Sequence, residues 1–223
     1  MIEPLSVRLQ TVYDTIDPNR ASKGRVIDVG SDHGLLALNC LKRELTPFCI
    51  CTDIHSAPAA RTAECLSSYN LDERFEVFCT DGLDGVDLKK DDTVVMAGLG
   101  GNTAVDVMTR AMKLTSEDTL REIDFVLQPQ KSQDRVREFL YSNGFAILDE
   151  TAAIDRDLFY ICMKVRYDGV VRKLESIDKY FGPILRNKTD PDSLAYIAHL
   201  KEVYEFRRRG DAELNSLLEA TDV

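Results

Sequence analysis

Gly24-Arg25-Val26-Ile27-Asp28-Val29-Gly30-Ser31-Asp32-His33-Gly34 is the stretch on which the reading of this chain turns. Arg25 to Val29 is short, apolar and β-branched, the composition of a buried strand. Gly30 stops it, and Leu35, Leu36, Leu38, Leu41 and Leu45 then recur at helical spacing. The stretch predicts a strand, a tight turn and a helix. Gly30 and Gly34 lack a Cβ, so the backbone there turns sharply and approaches a ligand closely. Ser31 and Asp32 are of the type that caps a helix, and a ligand would sit at the N-terminus of that helix.

Similar runs follow at Phe48–Cys51, Phe75–Phe78, Thr93–Met96 and Ile123–Leu127, with helical patterns between most of them. Each is read as a buried strand ending in a polar or glycine cluster: Asp53, Asp81-Gly82, Gly98-Leu99-Gly100-Gly101, and Gln128-Pro129-Gln130. Ligands of a parallel α/β sheet bind at such carboxyl ends. Phe145 to Ile154 and Leu158 to Tyr167 read as a long antiparallel pair that closes the sheet. Leu5, Leu9, Val12 and Ile16 share a face of an N-terminal helix ended by Pro18, with Asn19 to Lys23 a polar linker. Arg8, near the edge of that face, is either a solvated charge or part of a lid across the ligand edge. A helix beginning at Asn102 or Thr103 follows the glycine cluster.

Residues 1–167 are expected to form this sheet domain, with residues 1–17 as its N-terminal helix. Residues 168–223 change character, and two or three charged helices are expected: Val170 to Tyr180, about Ser193 to Arg209, and a short end. Leu194, Ile197, Ala198, Lys201 and Tyr204 follow a narrow stripe, as in a helical hairpin or short coiled coil. Arg207-Arg208-Arg209 is the only basic triplet. It is either a helix end favoured by the dipole or a phosphate contact.

With 223 residues and a formal net charge of −10, the chain has room for one full core but no globally basic surface. No apolar run reaches transmembrane length, and the N-terminus has no signal-peptide pattern. A cytoplasmic protein without membrane contact is expected. Six cysteines with no CxxC pair read as buried free thiols rather than disulfides or a metal site.

Two cofactor classes use this architecture. A nicotinamide enzyme carries Gly-x-Gly-x-x-Gly, whereas the turn here is Asp28-x-Gly30-x-Asp32-x-Gly34. That pattern is similar to the acidic-x-Gly-x-Gly-x-Gly of methyltransferases, with Asp32 in place of the middle glycine. Asp tolerates left-handed backbone better than most residues. Asp53, 25 positions after Asp28, suits ribose hydroxyls, since a vicinal diol offers a carboxylate two donors. Asp81 suits an adenine amino group. The absence of Lys after Gly98–Gly101 excludes a P-loop.

A closer resemblance rests on Leu5-Ser6-x-Arg8-Leu9, Asp28-Val29-Gly30-Ser31-Asp32-His33, Thr52-Asp53-Ile54, Asp81-Gly82-Leu83, Ala97-Gly98-Leu99-Gly100-Gly101, Leu127-Gln128-Pro129, Asn143-Gly144-Phe145 and Phe181-Gly182-Pro183, in this order. Together they resemble the bacterial tRNA (adenine-N1)-methyltransferase family TrmK, which acts on tRNA position 22. The resemblance spans essentially the whole chain. The family pattern has an aromatic residue and Pro where Leu35 and Ala37 stand, Met where Leu99 stands and Asn where Gln130 stands.

The resemblance implies a Rossmann-like class I methyltransferase sheet with a small C-terminal α-helical, coiled-coil-like domain. It further implies S-adenosyl-L-methionine as cofactor and tRNA as partner; no metal is expected, and the chain is expected to be a monomer or weak homo-oligomer. Together with the residue readings it assigns cofactor contacts to Asp28, Gly30, Ser31, His33, Gly34, Asp53, Ile54, Asp81, Gly82, Gly98, Leu99 and Gly100. Substrate contacts fall to Arg8, Gly101, Gln128, Arg172, Lys173, Arg207 and Arg208. Asp32 is the candidate carboxylate to stabilise charge developing on the purine, with Gln128 or the Gly98–Gly101 backbone orienting the base. Two other readings stay open: a methyltransferase for another RNA, a protein or a small molecule, and an inactive cofactor- and RNA-binding module.

Overall fold

A computed structural model of the chain describes residues 3–220. The elements run α1 (Val7–Thr15), α2 (Pro18–Ala21), β1 (Arg25–Val29), α3 (Leu35–Lys42), β2 (Phe48–Asp53), α4 (Ser56–Ser68), β3 (Phe75–Cys79) and β4 (Thr93–Ala97). Then follow α5 (Gly101–Leu114), α6 (Glu117–Leu120), β5 (Asp124–Gln128), α7 (Gln133–Ser142), β6 (Phe145–Asp155), β7 (Leu158–Tyr167), α8 (Ser176–Phe181), α9 (Pro191–Arg207) and α10 (Ala212–Ala220).

The strands form one sheet in the order β3-β2-β1-β4-β5-β7-β6. β1 to β5 pair in parallel, while β7 runs antiparallel to β5 and β6 antiparallel to β7. The chain winds outward from β1 to β3, then returns to place β4 on the other side of β1. That reversal makes the β1/β4 boundary a topological switch point, where ligands of open α/β sheets bind. Val29 lies beside Thr52 and Met96, and Ala97 beside Gln128. The four strand ends that carry the sequence clusters therefore reach one edge.

Side chains alternate between two covered faces. Val26, Cys49, Cys51, Val95 and Val126 lie in one core with Val12 and Ile16 of the N-terminal segment, Leu36, Leu38 and Leu41 of α3, and Leu66 of α4. Ile27, Ile50, Val94, Met96, Phe125 and Leu127 lie in the other, with Val107 and Met108 of α5 and Val136 and Leu140 of α7.

The segment after Tyr167 joins this second core. Tyr180, Phe181, Leu185, Tyr196, Leu200, Tyr204, Leu214 and Leu217 belong to the same apolar cluster as Phe125 and Phe145. The buried stripe of α9 is Ser193, Tyr196, Leu200 and Tyr204, while Leu194 is exposed. The expected stripe through Leu194 and Lys201 is thus corrected by about one residue, because α9 packs on β6. Beneath the segment lies a buried ion pair: Arg137 Nε donates to Glu150 Oε1 at 2.8 Å. Arg137 also donates to the carbonyls of Lys179 and Tyr180, and Glu150 Oε2 accepts from the N–H groups of Ile184 and Leu185. Gly182, at φ +87°, lets the backbone come this close, since a Cβ there would lie 2.6 Å from Glu150 Oε2.

Other expectations need correction. β3 is an edge strand with Phe78 and Cys79 exposed, not a buried one, because among the described residues it pairs only with β2. The helix expected over Val170 to Tyr180 shrinks to α8. Val170 N–H donates to Asp168 Oδ1, a local turn bond, and Arg172 N–H to the Tyr141 carbonyl, a tertiary one; both replace helical bonds. Pro18 opens α2 at its first turn, capped by Asp17, so the linker is partly helical. α5 begins at Gly101, ahead of Asn102. The six cysteines are free, four of them buried.

Candidate active site

The β1–α3 turn alternates left-handed residues: Gly30 at φ +76°, Asp32 at +50° and Gly34 at +69°. A Cβ on Gly30 would lie 3.0 Å from Leu99 Cδ2, and one on Gly34 would lie 3.0 Å from Thr62 Cγ2. Asp32 takes the middle glycine's conformation, as expected. The expected capping of α3 by Ser31 or Asp32 is not found, because Gly34 is its N-cap residue and both side chains turn to α4. Ser31 Oγ shares a hydrogen bond with Thr62 Oγ1 at 3.0 Å, and Arg61 Nη2 donates to Asp32 Oδ1 at 2.9 Å.

Two clefts meet at Gly30. One, of about 210 Å³, is lined by Arg8 and Leu9 of α1, Asp28, Ser31, Asp32, His33, Leu35, Leu36 and Ala97. The other, of about 220 Å³, is lined by Val29, Thr52, Asp53, Ile54, Asp81, Gly82, Leu99, Thr103 and Val107. The first has a charged floor. Asp28 is buried, and burial pushes its carboxyl up to about 7; Arg8 pulls it down and Asp53 pushes it further up. The second cleft has apolar walls and two carboxylates on its rim. Asp53 Oδ1 accepts from the His55 N–H at 2.9 Å. Asp81 is held by Arg110 of α5 at 2.9 Å, and Gly82 at φ +63° fits under Val107.

The ends of β4 and β5 complete the edge. Gly98 is at φ +83°, and a Cβ on it would meet Arg8 Nη1 at 3.1 Å. Gln128 is buried; its Oε1 accepts from Arg8 Nη1 at 3.0 Å and from the Gly98 N–H at 3.1 Å. This puts Arg8 across the ligand edge, the lid alternative of the two. Gly101 turns inward, where a Cβ would lie 2.6 Å from the Lys131 carbonyl. Its smallness serves the packing of α5 against the β5–α7 turn. Gly100 stays at the surface, under the Lys131 stem.

The four basic candidates of the C-terminal segment do not gather. Arg172 pairs with Asp168 and Lys173 with Glu175. Because β7 is antiparallel, Arg166 near its end faces Asp124 at the start of β5. Arg172 and Lys173 therefore follow at the edge opposite the clefts, which corrects their assignment to the substrate side. Arg207 reaches Asp134 in the first turn of α7, at 3.6 Å, and so stands on the site's edge. Arg208 is tied to Glu205 and Asn215. Sequence reading missed Lys131, exposed on the β5–α7 turn with no ion pair among the described residues. Its position directly after Gln128-Pro129-Gln130 was the available signal.

A doubly wound sheet closed by an antiparallel pair, with an acidic strand end and a glycine turn at the switch point, defines a class I methyltransferase. The methyltransferase-domain family matches residues 5–163. A Bacillus subtilis protein named tRNA (adenine(22)-N(1))-methyltransferase is 26% identical over 224 residues, covering 95% of this chain and 89% of the relative. A Mycoplasma pneumoniae protein named "Putative tRNA methyltransferase" is 30% identical over 170 residues, 75% of each chain. A solved structure from Streptococcus pneumoniae, described as "a putative tRNA (m1A22) methyltransferase, in complex with S-adenosyl-L-methionine", superposes with a TM-score of 0.82. It is 23% identical, covers 97% of both chains, and confirms the fold. The chain belongs to the methyltransferase-domain family.

Proposed function

We propose that this chain transfers the methyl group of S-adenosyl-L-methionine to N1 of an adenosine in tRNA, at position 22, in the cytoplasm. The observation that carries the reading is the pair of clefts meeting at Gly30, one with a buried acid and one with carboxylates around apolar walls. Asp28 fits the cofactor's ammonium group, since a cation beside it offsets the burial of its charge. Asp53 fits the ribose diol, and Leu99, Val107 and Asp81 fit the adenine. Bound there, the cofactor supplies an electrophilic methyl group on a sulfonium. The names of the Bacillus and Mycoplasma relatives point to tRNA as the acceptor.

Adenine N1 carries an in-plane lone pair and is unprotonated at neutral pH, so no strong base is needed. Alignment of the two reactants carries most of the acceleration. Gln128 and the Gly98–Gly100 backbone stand where the base would be oriented. Asp32, at the mouth of the first cleft, is the carboxylate proposed to stabilise the charge that develops on the purine. Its pairing with Arg61 moderates that effect. A base inside folded tRNA has to leave its stack to reach the cleft. On the RNA side, Arg207 and Lys131 are proposed to meet phosphates, and residues 168–223 to act as the helical unit that carries Arg207. Incubation with methyl-labelled cofactor and bulk tRNA, followed by nucleoside analysis, tests the reading. Label in 1-methyladenosine supports it, and label in another nucleoside or in protein overturns it.

A further inference from the structure

Gln128 leaves a buried polar atom unanswered. Its Oε1 accepts from both Arg8 Nη1 and the Gly98 N–H, while its Nε2 has no partner among the described residues. Two donors on one oxygen decide which end of the amide is which, because the reversed amide would set NH₂ against a guanidinium that only donates. A buried donor without a partner is costly, and such groups are rare in native proteins. Packing does not ask for this donor: an oxygen in its place would leave Arg8 and Gly98 equally well satisfied. The amide stands at the end of β5 beside Gly98, and Arg8 lines the first cleft with Asp28 and Gly30.

Arg8 is suited to fixing this amide. It comes from α1, whose Val12 and the adjacent Ile16 are anchored in the core, and its planar guanidinium donates in a fixed fork. Adenine has three ring nitrogens exposed on its edges. N1 must keep its lone pair for the methyl group, which leaves N3 and N7 as acceptors. We propose that Arg8 is a positioning residue: by holding Gln128 Oε1 it aims Nε2 as a hydrogen-bond donor at a ring-nitrogen acceptor of the purine being methylated. The inference rests on the base-methylating reading above and adds the group that recognises the purine together with the residue that orients it.

Gln128→Glu separates this from a structural role. The carboxylate still accepts from Arg8 and Gly98, as a charge-assisted pair, but the donor is gone. The expected result is a melting temperature no lower than wild type, unchanged cofactor affinity by calorimetry, and a fall in kcat/KM on tRNA of about 100-fold, typical of losing one pre-aimed donor. Arg8→Ala frees the amide to turn and is expected to lose roughly tenfold, with Arg8→Lys recovering part of it. Adding Arg8→Ala to Gln128→Glu should then bring no further loss, because the two act through one hydrogen bond. A Gln128→Glu protein that methylates tRNA like wild type, or that is less stable than wild type, overturns the inference. So does a double variant whose losses multiply. A wild-type protein that transfers no methyl to tRNA fails the functional reading itself, which keeps the two failures distinct.

Discussion

Asp28 sits where a charge is hardest to keep, on a central strand between two covered faces, with Cys40 and Cys51 nearby and Asp53 at the neighbouring strand end. Its carboxyl, pushed up to about 7, holds a proton more tightly folded than unfolded. This group therefore lowers stability as pH rises from about 4 to about 7, with the full penalty present above that range. Asp28→Asn is expected to remove that slope and to stabilise the cofactor-free protein at pH 8 by roughly 2–4 kcal/mol, each pKa unit being worth about 1.4 kcal/mol. Denaturant titrations across pH check it, and an unchanged slope contradicts it. The same variant should weaken cofactor binding. Asp32 poses the opposite case, with a side chain 61% exposed and paired to Arg61. Asp32→Asn keeps a residue that tolerates the left-handed turn and removes only the charge. Turnover is expected to fall about tenfold, less than for a buried group, with cofactor affinity unchanged. Equal losses in both would make Asp32 a binding residue.

Among the elements, the β1–α3 turn was legible because its glycine alternation has one backbone solution, and the strand ends because each stops in a polar cluster. The edge position of β3 was not legible, since Phe75 to Cys79 has the composition of a central strand and only pairing decides its exposure. The loop over Val170 to Glu175 was hidden because its hydrogen bonds go to Tyr141 and Asp168 rather than along a helix. Direction mattered as well: the antiparallel course of β7 carries Arg172 and Lys173 away from the clefts, which a list of positive charges does not show. The Arg137–Glu150 pair was also invisible, being made by α7 and β6 and completed by backbone beyond Gly182. Glu150→Ala leaves a buried guanidinium uncompensated and is expected to destabilise the protein by about 3–5 kcal/mol. Equilibrium unfolding measures it, and a loss below 1 kcal/mol would show that the pair does not hold the C-terminal segment.

At the scale of the molecule, an acidic chain has to bind a polyanion. It does so, on this account, with a few basic groups at the site's edge rather than with its net charge of −10. Lys131 is unpaired among the described residues, and Arg207 lies at the far end of α9 beside the first turn of α7. Phosphate contacts position RNA without reading it and make binding salt-dependent. Lys131→Ala with Arg207→Ala is expected to weaken tRNA binding and to reduce the slope of log K against log salt by about one per lost contact. An unchanged slope would place the RNA on another face. Because the helices after Tyr167 share the sheet's core, these substitutions in the full chain are a cleaner test than truncation.

Two specifics define the proposed activity: the atom that is methylated and the nucleotide that carries it. A methyl group on adenine N1 blocks the Watson–Crick edge, so reverse transcription halts beside it. The protein is incubated with S-adenosyl-L-methionine and an unmodified tRNA transcript, alongside a transcript with guanosine at position 22, and both are read by primer extension. A cofactor-dependent stop is expected next to position 22 in the first transcript and none in the second. A stop at another adenosine, or methyl incorporation without any stop, would contradict the proposed activity.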